Sequence, residues 1–176
     1  GGGHDLSYAV YKSYSSLQKN ITLTTVDKKF DLGLKGDKIS NSSFFSKILE
    51  AKPNSLFHYS NIGYQSFFVS PLAVEMLNDL SFDTLRLGDV KSNIKDIEPI
   101  MRNTDFLSFD ISSVKYSYAK ANIYASPNGL SGIEACQVMR YAGLSDKLSA
   151  IAISEYNQLL DKNGQTAQLI SQMIWY

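Results

Sequence analysis

Thr22-Leu23-Thr24-Thr25-Val26-Asp27-Lys28-Lys29-Phe30-Asp31-Leu32-Gly33 decides the reading of this chain. Up to Val26 the residues are β-branched or apolar and carry no charge, the pattern of a buried strand. Two carboxylates then follow at once around a lysine pair. In open α/β sheets, ligands collect just beyond the carboxyl ends of the strands, so Asp27 and Asp31 stand where a metal ion or a polar substrate is met. The same residues also suit a solvated turn, because Asp, Lys and Gly are ordinary loop residues.

Working outward, residues 5–17 carry Leu6, Ala9, Val10 and Leu17 at helical spacing, which places His4 at a helix entrance where it can serve as a ligand. Gly1-Gly2-Gly3-His4 also reads as a remnant of cloning. After Asp31 a polar loop through Asn41-Ser42-Ser43 precedes an apolar helix over 44–49, and that loop is a natural substrate lip. Residues 55–63 read as a strand, with His58 a packed strand residue. Ser70-Pro71 supplies an N-cap and a first-turn proline for a helix whose apolar face is Leu72, Met76, Leu77 and Leu80. A short strand over 84–88 leads to a helix marked by Ile94, Ile97 and Met101, made irregular by Pro99. Residues 105–111 form a second strand with a carboxylate, Asp110, near its carboxyl end. A glycine-containing loop over 125–130 enters a helix bearing Ile133, Ala135, Cys136, Val138 and Met139, with Gly143 at its C-cap. Glu134 sits in the first turn of that helix, where the dipole favours a carboxylate and a structural role suffices. A last strand spans 148–154, and a closing helix over 166–175 turns Leu169, Ile170, Met173 and Ile174 inward. Alternating strands and helices predict an α/β fold, a parallel sheet with helices on both faces.

Composition bounds the rest. The 176 residues, 44% hydrophobic and 19% charged, suit one domain over 1–176 able to bury a core. Seventeen basic and seventeen acidic side chains leave no basic field for nucleic acid. Cys136 is the only cysteine, so no intrachain disulfide forms and a reducing, cytoplasmic setting is expected. No apolar run approaches the roughly 18 residues of a membrane span, and no signal peptide is evident.

His4, Asp27, Asp31 and Asp110 all fall at strand ends or the helix entrances beside them. One imidazole and three carboxylates make a mixed N/O set suited to Mn²⁺ or a similar ion, unlike the thiolate set of structural zinc. Gly-Gly-Gly-His-Asp, Asp27-x-x-x-Asp31, Ser108-Phe109-Asp110 and Gly129-Leu130-x-x-x-Glu134 resemble, in order and spacing, the arginase–agmatinase–formimidoylglutamase family of ureohydrolases. Ser42-Ser43 with Phe45 and Ile48, Glu155-Tyr156-Asn157 and Thr166-Ala167-x-Leu169 resemble the formimidoylglutamase branch most.

The resemblance implies an arginase-like α/β sheet and a manganese pair whose bridging hydroxide attacks an amidine or guanidinium carbon. It implies metal ligands at His4, Asp27, Asp31 and Asp110, catalytic roles for Asp31 and Glu134, and substrate contacts at Ser42, Ser43, Asn128 and Glu134. The second ion of the pair would need a histidine and an aspartate where this chain has Lys29 and Ser112. The expectation is therefore one manganese ion at most, or none, with the Lys29 ammonium standing in for the missing charge. The resemblance also implies that three strands precede the glycine run, which makes the chain read as a C-terminal fragment. The 148–154 strand then becomes an exposed edge that favours a homo-oligomer, and His4 becomes a mobile terminus. Two functions follow from this: a hydrolase of small linear amidines such as formimidoylglutamate, or an inactive relative kept for binding or assembly.

Overall fold

The computed structural model describes residues 2–34 and 36–176, so Gly1 of the glycine run lies outside the described residues. Five parallel strands form one sheet in the order β3-β2-β1-β4-β5. They are β1 (Ile21–Val26), β2 (Leu56–Tyr64), β3 (Asp83–Arg86), β4 (Phe106–Asp110) and β5 (Ala150–Ser154). β1 is central and buried along its whole length, as a strand covered on both faces must be.

Side-chain alternation divides the core into two layers. Ile21 and Leu23 of β1 and Phe106 of β4 face one side, against α1 (Leu6–Ser16), α2 (Phe44–Leu49) and α3 (Pro71–Asp79). Val26, Leu107 and Phe109 face the other, against α4 (Leu87–Ser92), α5 (Glu98–Arg102), α6 (Gly132–Gly143) and α7 (Gln165–Trp175). The expected three-layer arrangement is thus present. A single turn of 3-10 helix, Ile94–Ile97, precedes α5 and its proline. Ser70 caps α3 by accepting a hydrogen bond from the Ala73 N–H at 3.2 Å. Ser131 and Glu134 form a reciprocal capping box on α6.

Several helix faces differ from the sequence reading. In α1 the buried side chains are Ser7 and Tyr11, whereas Leu6 and Leu17 are exposed. Polar anchoring sets that rotation: the Tyr11 hydroxyl donates to Asn54 Oδ1 at 3.0 Å and accepts from the Ser55 N–H at 2.9 Å, tying α1 to the start of β2. Leu77 alone is buried on α3, and Leu72, Met76 and Leu80 face outward. Ile174 of α7 is exposed, while Thr166, on the same helix, is fully buried and receives the Ala121 N–H. Gly143 is the last residue of α6 and Leu144, in a right-handed conformation, is its cap. His58 does meet a carboxylate: its Nε2 lies 2.9 Å from Asp83 Oδ2 on the neighbouring strand. β5 lies at the sheet margin with Ile151 exposed, as expected of an edge.

Replacing Tyr11 by Phe keeps the ring and removes both polar links, leaving the buried Ser55 N–H without its acceptor. The expected cost is about 1–3 kcal/mol in a denaturant melt, whereas an unchanged midpoint would show that α1 is held by apolar contact alone.

Candidate metal centre

Register assembles the site. β1 and β4 pair so that Val26 lies opposite Phe109, which sets Asp27 beside Asp110 at their carboxyl ends. Phe106, Ser108 and Asp110 alternate onto the face of the sheet that α1 covers, so Ser108 and Asp110 both point towards His4 at the α1 entrance. His4 Nδ1 lies 3.2 Å from Asp27 Oδ2, 2.9 Å from Asp31 Oδ2 and 3.7 Å from Asp110 Oδ2. All four side chains are buried.

The sequence reading made His4 a mobile terminus, and the structure corrects this. Its ring is fully buried, stacked at a tilt on Phe44 with centroids 4.6 Å apart. Its Nε2 is 2.8 Å from Ser108 Oγ, which is 2.5 Å from Ser7 Oγ one helical turn along α1. Its backbone N–H donates to Glu155 Oε1 at 2.8 Å. Glu155 holds a left-handed backbone (φ +65°) just after β5, and its own N–H donates to Gly2 O. Ser7, Ser108 and Glu155 were thus missed as site residues. Ser108 was open to discovery as a polar residue on the parity of Asp110 within an apolar strand. Glu155 was open to it as a carboxylate just past a strand end, the rule that selected Asp27.

Backbone N–H groups two residues on hold the outer oxygens of two aspartates. Asp27 Oδ1 accepts from the Lys29 N–H at 3.2 Å, and Asp110 Oδ1 from the Ser112 N–H at 2.6 Å. The inner oxygens are left over. Asp27 Oδ2, both Asp31 oxygens and His4 Nδ1 are buried without a hydrogen-bond partner of proper geometry. They crowd within ion-pair distance yet do not point at one another as donor and acceptor would. Buried polar atoms are rarely left so, and a set of them aimed at one point is what a cation requires. One donor atom each from His4, Asp27 and Asp110 lies within 4.8 Å of the others. The residues present therefore fit a divalent ion with oxygen and imidazole ligands.

Electrostatics agree. Burial by itself would depress the His4 pKa, but the Asp27 and Asp31 carboxylates outweigh it and raise it to about 10. Burial, then the Asp31 and Asp110 charges, hold Asp27 well above the usual carboxylate range, and burial raises Asp110. For Asp31 burial acts upward but His4 and Lys29 prevail and lower it. The Lys29 ammonium, resisted by burial, is raised by Asp31, whose Oδ1 it meets at 3.2 Å. Lys28 turns the other way, over the Phe68 ring with its ammonium on the Tyr124 carbonyl.

Of the other residues singled out from sequence, Ser43, Asn128 and Glu134 lie apart from this cluster, whereas Ser112 touches it through its N–H on Asp110. Ser42 lines a cavity of about 630 Å³ together with Lys29 and Asp31. Ser43 is buried in the turn before α2, donating to Lys38 O at 2.7 Å. Asn128 lines a different cavity with Lys91. Glu134 accepts from Lys91 at 2.7 and 2.8 Å and from the Ser131 N–H at 2.7 Å, so its contacts are those of a helix cap and an ion pair. Ser112 Oγ is buried with no partner.

A parallel sheet with helices on both faces, and a buried imidazole and carboxylates converging beyond its strand ends, defines an α/β protein with a candidate metal-ligand group at the sheet's carboxyl edge. The Arginase family model matches residues 1–176, and the chain belongs to that family. It is 27% identical over 185 residues to a formimidoylglutamase of Legionella pneumophila and 29% over 183 residues to one of Staphylococcus aureus. It covers 99% of itself and 58% of each relative, so it spans little more than half their length. The fold matches Trypanosoma cruzi formiminoglutamase solved with Mn²⁺ (TM-score 0.88, 21% identity, 99% of this chain and 61% of that one). It also matches an arginase from Medicago truncatula (TM-score 0.80, 20% identity, 98% and 55%). No described helix is long and apolar enough to cross a membrane.

The metal-free cluster should make stability fall as pH rises. The raised His4 contributes stability that is complete below its ordinary 6.5 and lost as pH climbs through about 10. Asp27 and Asp110, also raised, act in the same direction, while lowered Asp31 stabilises above the ordinary carboxylate range and loses this only in acid. Denaturation midpoints of the metal-free chain should therefore decline from pH 6.5 to about 10, more steeply than those of a His4→Gln variant. Parallel profiles for the two proteins would contradict the assignment.

Proposed function

We propose that this chain holds one manganese ion through His4, Asp27, Asp31 and Asp110 and presents it to a linear amidine whose C–N bond is hydrolysed. What carries the reading is the set of buried donor atoms on His4, Asp27 and Asp31 that converge within ion-pair distance without forming hydrogen bonds of proper geometry. Family membership supports the reaction class, and the Mn²⁺ in the Trypanosoma cruzi relative supports the choice of ion. When bound, such an ion supplies Lewis-acid polarisation and a water of lowered pKa. The chain's own residues do the rest. Ser108 fixes His4 Nε2 so that Nδ1 faces the carboxylates, and the N–H groups of residues 29 and 112 turn one oxygen of Asp27 and one of Asp110 inward. Ser42 borders the cavity that reaches Asp31 and is the proposed substrate contact there. For Glu134 to engage an amidine it would first have to release Lys91.

A second reading has its own observation. The Lys29 ammonium sits 3.2 Å from Asp31 Oδ1, on a residue that stands where the resemblance calls for a histidine ligand of the second ion. Three carboxylates then balance one dication and one ammonium, and an ammonium cannot share a hydroxide as a Lewis acid does. In this reading the chain is an inactive relative that binds one ion. The β5 edge, with its apolar Ile151, would in either case pair with a second copy.

Metal analysis after dialysis against Mn²⁺ should find one ion per chain, abolished in Asp27→Asn. Manganese-dependent release of formamide from a formimidoyl compound supports hydrolysis, and its absence with the ion bound supports the inactive reading. A chain that retains no manganese would sink both.

Lys29→His with Ser112→Asp should raise the manganese content towards two per chain, since both changes add a donor where the side chain alone differs. Retention of a single ion by the double variant would show that these positions did not remove the second site. Sedimentation of the unmodified chain, compared with Ile151→Lys, reads the edge pairing directly: a strict monomer at high concentration would exclude it.

A further inference from the structure

We propose that the cavity lined by Lys91 and Asn128 binds the phosphoryl group of a small, polar phosphate ester. The proposal does not rest on the manganese reading, because none of His4, Asp27, Asp31 and Asp110 lines this cavity. It has a volume of about 440 Å³ and lies at the carboxyl edge of the sheet. Gln65 borders it just after β2, Arg86 and Lys91 from β3 and α4, and Lys115 and Asn128 from the segment between β4 and α6. Three of the bordering residues are cations and none is an acid, although the chain as a whole carries seventeen of each sign. A cleft lined by one sign of charge concentrates the opposite sign within it.

The three charges are engaged to different degrees. Lys91 is held by both oxygens of Glu134, at 2.7 and 2.8 Å. Arg86 Nε stays 3.8 Å from Asp89 Oδ2, beyond hydrogen-bond distance, so its guanidinium keeps its donors for a ligand. A Cβ at Gly88 would come 3.3 Å from Arg86 Nη2, so the glycine leaves the guanidinium its place beside the cavity. Lys115 makes no ion pair among the described residues, and Gly1 and Lys35, which lie outside them, carry no carboxylate. A dianion can therefore meet Arg86 and Lys115 without displacing a bonded carboxylate. The walls are fixed before it arrives. The Lys115 N–H donates to Leu130 O and the Leu130 N–H to Ser113 O, both at 2.9 Å, and a Cβ at Gly129 would strike Ser113 O. Gln65 Nε2 donates to Asn128 O at 3.2 Å and joins the remaining wall. A guanidinium fork beside ammonium groups is the donor set that phosphoryl oxygens require. The space exceeds one phosphate, and Tyr64, Ser66 and Asn128 offer hydroxyl and amide groups to the rest of the ligand, whereas Leu87, the one aliphatic side chain of the lining, is 9% exposed. The body of the ester is accordingly polar.

The test is a titration of the isotope-labelled, metal-free chain with glycerol 3-phosphate, followed by the backbone amide signals, with glycerol as the uncharged control. Gly88 and Gly129 should shift saturably with the phosphate ester and stay in place with glycerol. Lys115→Gln and Arg86→Gln should each weaken binding ~10-fold, the loss of one charge-assisted hydrogen bond. Lys12→Gln, exposed on α1 across the sheet, should change nothing. Glu134→Gln keeps a side chain able to cap α6 and releases Lys91, so it should tighten binding, a gain that a misfolded variant could not show. Absence of saturable shifts at the two glycines would overturn the proposal. So would an equal loss in Lys12→Gln, or a Glu134→Gln variant that binds no more tightly than the unmodified chain. A chain that takes up no manganese yet responds as described leaves the proposal standing and defeats the metal reading alone.

Discussion

Burying three carboxylates around one imidazole is the constraint on which the rest of this structure depends. Asp27, Asp31 and Asp110 are nearly inaccessible, and charges so buried are tolerated only when paired or coordinated. Two cations, His4 and Lys29, are close enough to compensate them in part. The sheet makes the convergence possible because β1 and β4 are neighbours, parallel and in register at their ends. A slip of one residue in that pairing would turn Ser108 and Asp110 to the face of α6 and leave His4 without its partners. The apolar layers on both faces therefore fix chemistry as well as stability.

Positions 29 and 112 meet the cluster through main chain, independently of what their side chains carry. Each contributes a backbone N–H to the aspartate two residues before it, and any residue but proline can do that. Their side chains are free to differ without disturbing Asp27 or Asp110. Lys29 places its ammonium on Asp31, and Ser112 leaves a short buried hydroxyl beside the cluster. Main-chain N–H groups thus orient Asp27 and Asp110 whatever side chains stand at 29 and 112, whereas any role of those two positions as ligands would depend on the side chains themselves.

Much of this was legible in the sequence where the signal was local. The uncharged run before Asp27 marked β1, Ser70-Pro71 marked the start of α3, and carboxylates just past strand ends marked the centre. The missing parts were non-local. Spacing along the chain cannot say that β1 and β4 lie side by side, and without that His4 has no visible reason to be fixed. Helix faces misled for a related cause. Leu6, Leu17 and Leu72 fit an apolar stripe, but α1 is oriented by the Tyr11 hydroxyl and by Ser7 on Ser108, polar contacts with residues far away in sequence. The resemblance to the family proposed a ligand set, His4, Asp27, Asp31 and Asp110, whose side chains converge, while Ser43, Asn128 and Glu134, offered as substrate contacts, lie outside that cluster.

Asp31 joins the centre to the cavity that Ser42 borders. It is one of four described non-glycine residues with positive φ, at +49°, a conformation that Asp tolerates better than most but still at a cost. That twist lets one residue do two things. Its carboxylate turns back to His4 and Lys29, while its carbonyl accepts the Phe45 N–H at 3.2 Å in the first turn of α2. α2 in turn sets Phe44 against the His4 ring and Leu49 in the cavity wall. The cavity wall is thus tied through a single left-handed residue to the geometry of the candidate metal centre. An extended backbone at this position would send the carboxylate outward and break both links together.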